Sequence, residues 1–358
     1  MIQYENIKKI QLEISTHCNA ACPQCPRNYY GGGTITTLPL KNWSLSEFKK
    51  IFTEKLLYQL EQVYFCGTYG DPMSNPYILE MCKWLKSVNS SLNVGIHTNG
   101  SLGKPITYQN LAQYTDFIAF GIDGLEDTNH IYRRGVKWKN ILKNTDAFIK
   151  SGGYAIWDFI VFGHNEHQVK EAREMSQSLG FAQFNIKKTG RFFNRRHKFQ
   201  KSLMVYNKQN FIDYSIKPPS NPEYVNESYK VIENMNSEQM TEYLNTTNIS
   251  CNACNISEIY IGAEGFVFPC GWLHDRLYGP EVETSEDHFK LKALIENSGG
   301  VEYINVFFTP LKNIVNGPWF KNIESSWKSN KRLERCAAMC GEKINVIKYQ
   351  NSDIKYKE

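Results

Sequence analysis

The sequence is short of the features that mark out whole classes of protein. No stretch approaches the ~18 consecutive apolar residues of a membrane-spanning helix, so no membrane association is expected. The N-terminus, MIQYENIKKIQLEIS, lacks the basic, apolar and small-residue order of a secretory signal, and a cytoplasmic location is expected. Internal repeats and low-complexity tracts are missing too, which excludes collagen, long coiled coil and wholly disordered chains. Charge of one sign is scarce. Against 36 acidic residues stand 41 basic ones, a net +5 too mild by itself to argue for nucleic acid.

What is present is a chain of 358 residues, 41% hydrophobic, with a mean hydropathy of −0.47, able to bury a real core. Ten cysteines are the informative number. None falls between Cys82 and Cys251, and most of the rest are tightly grouped. Without an export signal the compartment is reducing, where clustered cysteines bind metal more often than they form disulfides. Cys66 and Cys82 stand apart and read as core thiols. Cys82 shares a helical apolar stripe with Ile78, Met81 and Leu85.

Up to about residue 190, short apolar runs alternate with amphipathic stretches. The runs are QLEIS (11–15), QVYFC (62–66), NVGIH (93–97), FIAFGI (117–122), IWDFIVF (156–162) and FNIKK (184–188). Between them, one helix is expected from Ser44 through LSEFKKIFTEKLLYQL, opened by a Ser44–Glu47 capping box. Others follow Pro76, Asn140 and the His164–Asn165 turn, with a weaker one near 107–114. Six strand–helix units predict parallel strands with right-handed crossovers, closing as an open partial (β/α)6 barrel over 1–192. A polar connector with short helical patches is expected over 193–250. A small cysteine-rich α+β extension is expected over 251–358, with a hairpin at 258–270 and a last helix near 318–330.

Cys18-x3-Cys22-x2-Cys25 follows the first strand directly. Three thiolates on one loop can converge on a [4Fe–4S] cluster and leave its fourth iron open, whereas structural zinc wants a fourth ligand. A C-x3-C-x2-C loop in this position resembles the radical SAM superfamily. The resemblance implies that the open iron binds S-adenosylmethionine, which is reductively cleaved to a 5′-deoxyadenosyl radical that abstracts a substrate hydrogen. It also implies an external one-electron reductant of flavodoxin or ferredoxin type. Where many relatives have an aromatic before the third cysteine, this chain has Gln24.

Further matches fall at strand ends, the face on which a β/α barrel carries its chemistry. Gly67-Thr-Tyr-Gly70-Asp71-Pro72 resembles the family's Gly-Gly-Glu-Pro turn, which implies contacts to the methionyl amine from Gly70, Asp71 and Pro72. The stretch ending in Asn99-Gly100 resembles the family's third-strand terminus. Gly121-Ile-Asp123-Gly124 resembles its Ser-Ile-Asp-Gly, with glycine in place of the serine, and Asp123 is left to face the ribose. Arg134, in Tyr132-Arg133-Arg134-Gly135, is the expected partner of the cofactor carboxylate. His164 and His167 lack a third ligand and are expected to make polar contacts rather than bind metal.

Cys251, Cys254, Cys270, Cys336 and Cys340 form the second group. Spacing alone leaves zinc and iron–sulfur open. Cys-x10-Gly265-x4-Cys270 counted from Cys254 resembles the opening of the SPASM and twitch extensions, which implies one auxiliary iron–sulfur cluster. Cys251 and Cys254 both satisfy the spacing before Gly265.

The resemblance implies an oxidoreductase acting on a peptide or a small metabolite, with peptide slightly ahead. Seventeen residues precede Cys18, so no fused leader-recognition domain is expected. The sequence singles out no residue as quencher of the substrate radical. The basic run from Lys187 and Lys188 through Arg191, Arg195, Arg196, His197 and Lys198, with Phe192 and Phe193, keeps open a second reading. That reading is a non-catalytic, metal-stapled protein that binds nucleic acid through cations and stacked rings.

Overall fold

The six expected strands form where the apolar runs place them. In the computed structural model, which describes residues 1–192, 199–329 and 331–350, they are β1 (Lys9–Leu12), β2 (Gln62–Phe65), β3 (Asn93–Thr98), β4 (Phe117–Gly121), β5 (Ala155–Ile160) and β6 (Gln183–Lys187). All pair in parallel and in chain order. Ile10, Val63, Ile96, Phe120 and Trp157 are fully buried along them, as strands covered by helices require.

The helices between the strands are α1 (Leu45–Ile51), α2 (Glu54–Gln59), α3 (Ile78–Val88), α4 (Pro105–Leu111), α5 (Asn129–Tyr132), α6 (Trp138–Lys150) and α7 (Val169–Ser178). The long helix expected from Ser44 is two. Ser44 and Glu47 do close a capping box, but Phe52 leaves helical backbone at φ −86°, ψ 67°. Thr53 then accepts the Leu56 N–H and caps a second helix. Phe52 makes this break while burying its ring 4.6 Å from Phe48. Core packing outweighs helix continuity here. Cys82 is fully buried on α3 as its stripe predicts, and Cys66 is half-buried after β2.

The 193–250 segment holds α8 (Ser228–Glu233), α9 (Ser237–Thr246) and an unanticipated antiparallel hairpin of β7 (Leu203–Tyr206) and β8 (Ile212–Ile216). Its apolar alternation is hard to see because Met204 and Ile212 are exposed. Arg195, Arg196, His197, Lys198 and Phe193 of the basic run lie outside the described residues.

Beyond residue 250 come α10 (Asn252–Asn255), β9 (Glu258–Ile261), β10 (Val267–Phe268), α11 (Gly271–His274), α12 (Glu286–Glu296), α13 (Leu311–Asn316), α14 (Pro318–Ser326), α15 (Glu334–Cys340) and α16 (Val346–Gln350). The expected hairpin forms, and Gly265 supplies its turn at φ +94°. In addition β9 pairs in parallel with β1, from Lys9↔Glu258 to Leu12↔Ile261. The sheet therefore has eight strands in the order β10-β9-β1-β2-β3-β4-β5-β6. Pairing covers the open β1 edge, which would otherwise expose a row of backbone groups. No described helix is long and apolar enough to cross a membrane.

Candidate functional site

Parallel strands point their C-terminal ends to one edge, and the loop carrying Cys18, Cys22 and Cys25 lies along it. Each thiol meets a segment that follows a different strand. The Asn99 side-chain amide, after β3, lies 3.7 Å from Cys18 Sγ. Cys25 Sγ lies 3.7 Å from the Thr68 carbonyl, after β2. Arg133 Nη1, after β4, is 4.0 Å from Cys22 Sγ. Burial raises the pKa of all three thiols, that of Cys22 to about 11; Cys25 adds to the rise at Cys22, and both Cys22 and Cys25 add to it at Cys18. Three converging sulfurs flanked by an amide and a guanidinium fit a [4Fe–4S] cluster with one iron left over. Among the described residues no three His, Cys, Asp or Glu side chains are arranged to grip a single metal ion, His164 and His167 included.

Gly70 and Asp71 form the next part of this edge. A Cβ at Gly70 would lie 1.8 Å from the Ser15 carbonyl oxygen, so only glycine lets the turn close onto the end of β1. Asp71 is buried and spoken for: it accepts from the Met73 N–H at 2.9 Å, the Asn99 N–H at 2.9 Å and the Thr98 hydroxyl at 2.9 Å. Its carboxylate fixes where β3 ends, and through that where the Asn99 amide points. Pro72 opens a short 3-10 turn that Asp71 caps.

One residue of this turn was not visible as functional in the sequence. Glu13, in the run QLEIS, is only 1% exposed. Its carboxylate accepts the Tyr69 and Gly70 N–H groups at 2.6 and 2.7 Å and the Tyr260 hydroxyl at 2.7 Å. Burial is the largest influence and pushes it up to about 7. His274, on α11, has Nδ1 4.0 Å from Glu13 and Nε2 3.3 Å from Glu264. Burial disfavours its charged form, but Glu264 and then Glu13 outweigh that and raise its pKa. A charged residue inside an apolar strand run was the available signal.

Asp123 is fully buried and ion-paired with Arg133, whose Nε donates at 2.6 Å. The other Asp123 oxygen accepts the Ile160 N–H at 2.7 Å. Arg134 is placed elsewhere: its guanidinium pairs with Asp213 on β8 at 3.0 Å and lies over Tyr214. Arg133, not Arg134, stands beside Cys22. Asn165 supports the same loop by donating to the Asp123 carbonyl at 2.9 Å, while His164 stacks on Phe162 and burial lowers it to about 4. A second buried polar group spans the sheet: Asp158 accepts from Asn185 at 2.8 Å, with Lys187 at 3.6 Å and His97 at 3.7 Å.

The second cysteine group is assembled by long-range contacts. Cys336 and Cys340 lie one turn apart on α15, whose first N–H groups, of Glu334 and Arg335, donate to Asp287 at 2.7 and 2.8 Å. Ile249 bridges to Gly341, and the Ser250 N–H donates to the Cys340 carbonyl at 3.0 Å, which brings Cys251 alongside. Cys270 arrives at the start of α11. A small cavity, of about 20 Å³, is lined by Cys251, Cys270, Cys336 and Cys340, with Trp272 and Met339 among its walls. Cys254 does not line it. Its sulfur lies 3.2 Å from that of Met1, and a hydrogen bond from the Cys251 thiol lowers it to about 7.

Between the Cys25 loop and this region lies a cleft of about 100 Å³, with Gln24 and Arg191 on the barrel side and Trp272, Arg276 and Arg335 opposite. It shares Tyr30, Gln200 and Leu203 with an open groove of about 1120 Å³ beside β7 and α9.

Residues 12–175 match the family model of the Radical SAM superfamily. No curated protein is matched by the sequence. Streptococcus suis SuiB bound to its precursor peptide SuiA superimposes with a TM-score of 0.56 at 14% identity, over 90% of this chain and 68% of SuiB. Native anSMEcpe with bound AdoMet gives a TM-score of 0.51 at 12% identity, over 96% of this chain and 92% of that one. Against SuiB bound to S-adenosylmethionine, at a TM-score of 0.49 and 14% identity over 74% of this chain, the chain spans 60% of SuiB's length. At these identities the likeness is one of fold.

Proposed function

Starting from the Radical SAM match over residues 12–175, we propose that this protein is a radical SAM enzyme that oxidises or cross-links a peptide. The observation that carries it is the meeting of three thiols with the segments that follow three separate strands, at Thr68, Asn99 and Arg133. When bound there, the cluster and S-adenosylmethionine supply reductive cleavage of the sulfonium and a carbon radical able to take a hydrogen atom from the substrate.

The chain's own residues hold and orient. Cys18, Cys22 and Cys25 hold the cluster. Glu13 fixes the Gly70 turn by gripping two of its N–H groups, and Asp71 fixes Thr98 and Asn99. Asp123 and Arg133 present a carboxylate and a guanidinium at the end of β4, suited to a hydroxyl and a carboxylate of the cofactor. Cys251, Cys270, Cys336 and Cys340 are the four ligands of an auxiliary iron–sulfur cluster, on the ground that these four line one cavity. Trp272 and Arg335 line both that cavity and the cleft, so these two side chains would stand between a cluster held by the four thiols and a substrate in the cleft. A cluster held there would supply an acceptor for the electron left after hydrogen abstraction.

Peptide is favoured over a small metabolite because the cleft opens into a groove several times its volume. An extended chain can occupy such a path, and its ordering excludes water from the reacting end. The test is anaerobic reconstitution with iron, sulfide, S-adenosylmethionine and a reductant. About eight irons and 5′-deoxyadenosine are expected. Iron without 5′-deoxyadenosine would leave the second reading, a metal-stapled binding protein.

A further inference from the structure

The cleft between the Cys25 loop and α11 carries an excess of positive charge that the machinery above does not use. Arg191, Arg276 and Arg335 all line it. Arg276 donates to Asp275 Oδ1 at 2.7 Å and Arg335 to Asp275 Oδ2 at 2.7 Å, so one carboxylate is shared by two guanidiniums. Asp287 is the other nearby acid, and it is already engaged by the Glu334 and Arg335 N–H groups. Among the described residues three guanidiniums thus face two carboxylates at this cleft.

The surplus is strained. Arg276 is 5% exposed, and its Nη1 has no hydrogen-bond partner among the described residues. The Gln24 side-chain nitrogen, across the cleft, is likewise buried without one. Unmade hydrogen bonds of this kind cost more at a charged group than at a neutral one. Arg191 and Arg335 both lie over the Trp272 ring, at 5.2 and 4.6 Å, which holds the guanidinium planes in place.

We propose that this cleft is an anion site that grips a carboxylate of the substrate, with Arg276 and Arg191 as its principal donors and Gln24 completing it. A guanidinium pairs with a carboxylate through two parallel hydrogen bonds, and a single surplus charge suits a monoanion better than a phosphate dianion. The inference rests on the cleft being the substrate site, and it deepens that reading by assigning the substrate a carboxylate close to the reacting carbon. The C-terminal carboxylate and an Asp or Glu side chain share this chemistry.

The test uses the full-length, anaerobically loaded protein and two matched probes: N-acetyl-dialanine with a free carboxylate, and its C-terminal amide. Saturation-transfer NMR should show the acid binding about tenfold more tightly than the amide. N-acetyl-aspartate dimethylamide, with the carboxylate on a side chain, separates the two carboxylate sources. The preference for acid should vanish in Arg276→Gln and fall in Arg191→Gln, with iron content unchanged. Arg191 is partly exposed, so its variant keeps the test valid if Arg276→Gln does not fold. Equal binding of acid and amide, an acid preference untouched in folded Arg191→Gln, or displacement of the acid by inorganic phosphate more readily than by acetate would each overturn the proposal. The same sample is assayed for 5′-deoxyadenosine. Its formation without any acid preference sinks this proposal alone, whereas an acid preference without 5′-deoxyadenosine sinks the enzymatic reading instead.

Discussion

Arg133 occupies the space that a side chain at Gly121 would need. A Cβ placed on Gly121 would lie 2.4 Å from Arg133 Nη2. The glycine that replaces the serine of related sequences is therefore matched by an arginine twelve residues on, which reaches back over β4 to pair with Asp123.

Removing that arginine should be costly, and removing its neighbour should not. Arg133→Gln leaves Asp123 buried without its partner, a loss of about 3 kcal/mol. Arg134→Gln breaks a pair with the half-exposed Asp213 and should cost under about 1 kcal/mol. Denaturant unfolding of the two variants checks the stabilities. Calorimetric titration with S-adenosylmethionine checks the roles, with affinity lost in Arg133→Gln and kept in Arg134→Gln. The reverse order would return the cofactor contact to Arg134.

Cys251 and Cys254 should behave differently despite standing three residues apart. Cys251→Ser should lose about four irons, while Cys254→Ser should keep the full complement. Iron analysis and the electron paramagnetic resonance spectrum of the reduced protein distinguish them. Iron loss in Cys254→Ser alone would exchange their roles.

Asp71→Ala should weaken S-adenosylmethionine binding about tenfold without loss of iron. The variant leaves the Thr98 hydroxyl and the Asn99 N–H without their acceptor, at a cost of about 2 kcal/mol. Asp71→Asn retains one oxygen and should recover part of both losses. Unchanged affinity in Asp71→Ala would mean that the end of β3 holds its shape without this carboxylate.

His97 should contribute a distinct acid limb to stability. Burial lowers it from 6.5 to about 4 against the pull of Asp158, and Arg133 and Lys187 act in the same direction as burial. The folded state then binds fewer protons than the unfolded chain between those values. Its contribution is full above about 6.5 and is lost as pH falls toward 4. His97→Asn should flatten that limb, narrowing the stability change between about pH 7 and pH 5 by roughly 2 kcal/mol. Parallel unfolding curves for the two proteins at both pH values decide it.

The sequence by itself determined the parts whose physics is local. Apolar runs such as NVGIH and FIAFGI become strands because alternation and β-branched bulk act over a few residues. Likewise the Cys18–Cys25 loop can gather its thiols because they lie within one turn of chain. Only the tertiary structure decided which of two adjacent residues faces the site. Arg133 and Arg134 are chemically equal, but the chain's path after β4 sends one toward Cys22 and the other to Asp213. In the same way, the bridge from Ile249 to Gly341 puts Cys251 in the cavity wall, while the Cys254 sulfur, still within reach of the Cys251 thiol, contacts Met1. Glu13, Tyr260 and His274 meet because β9 docks on β1, a pairing between segments some 250 residues apart. Arg191, Arg276 and Arg335 converge for the same reason: folding sets which distant side chains share a cavity, and no local pattern records it.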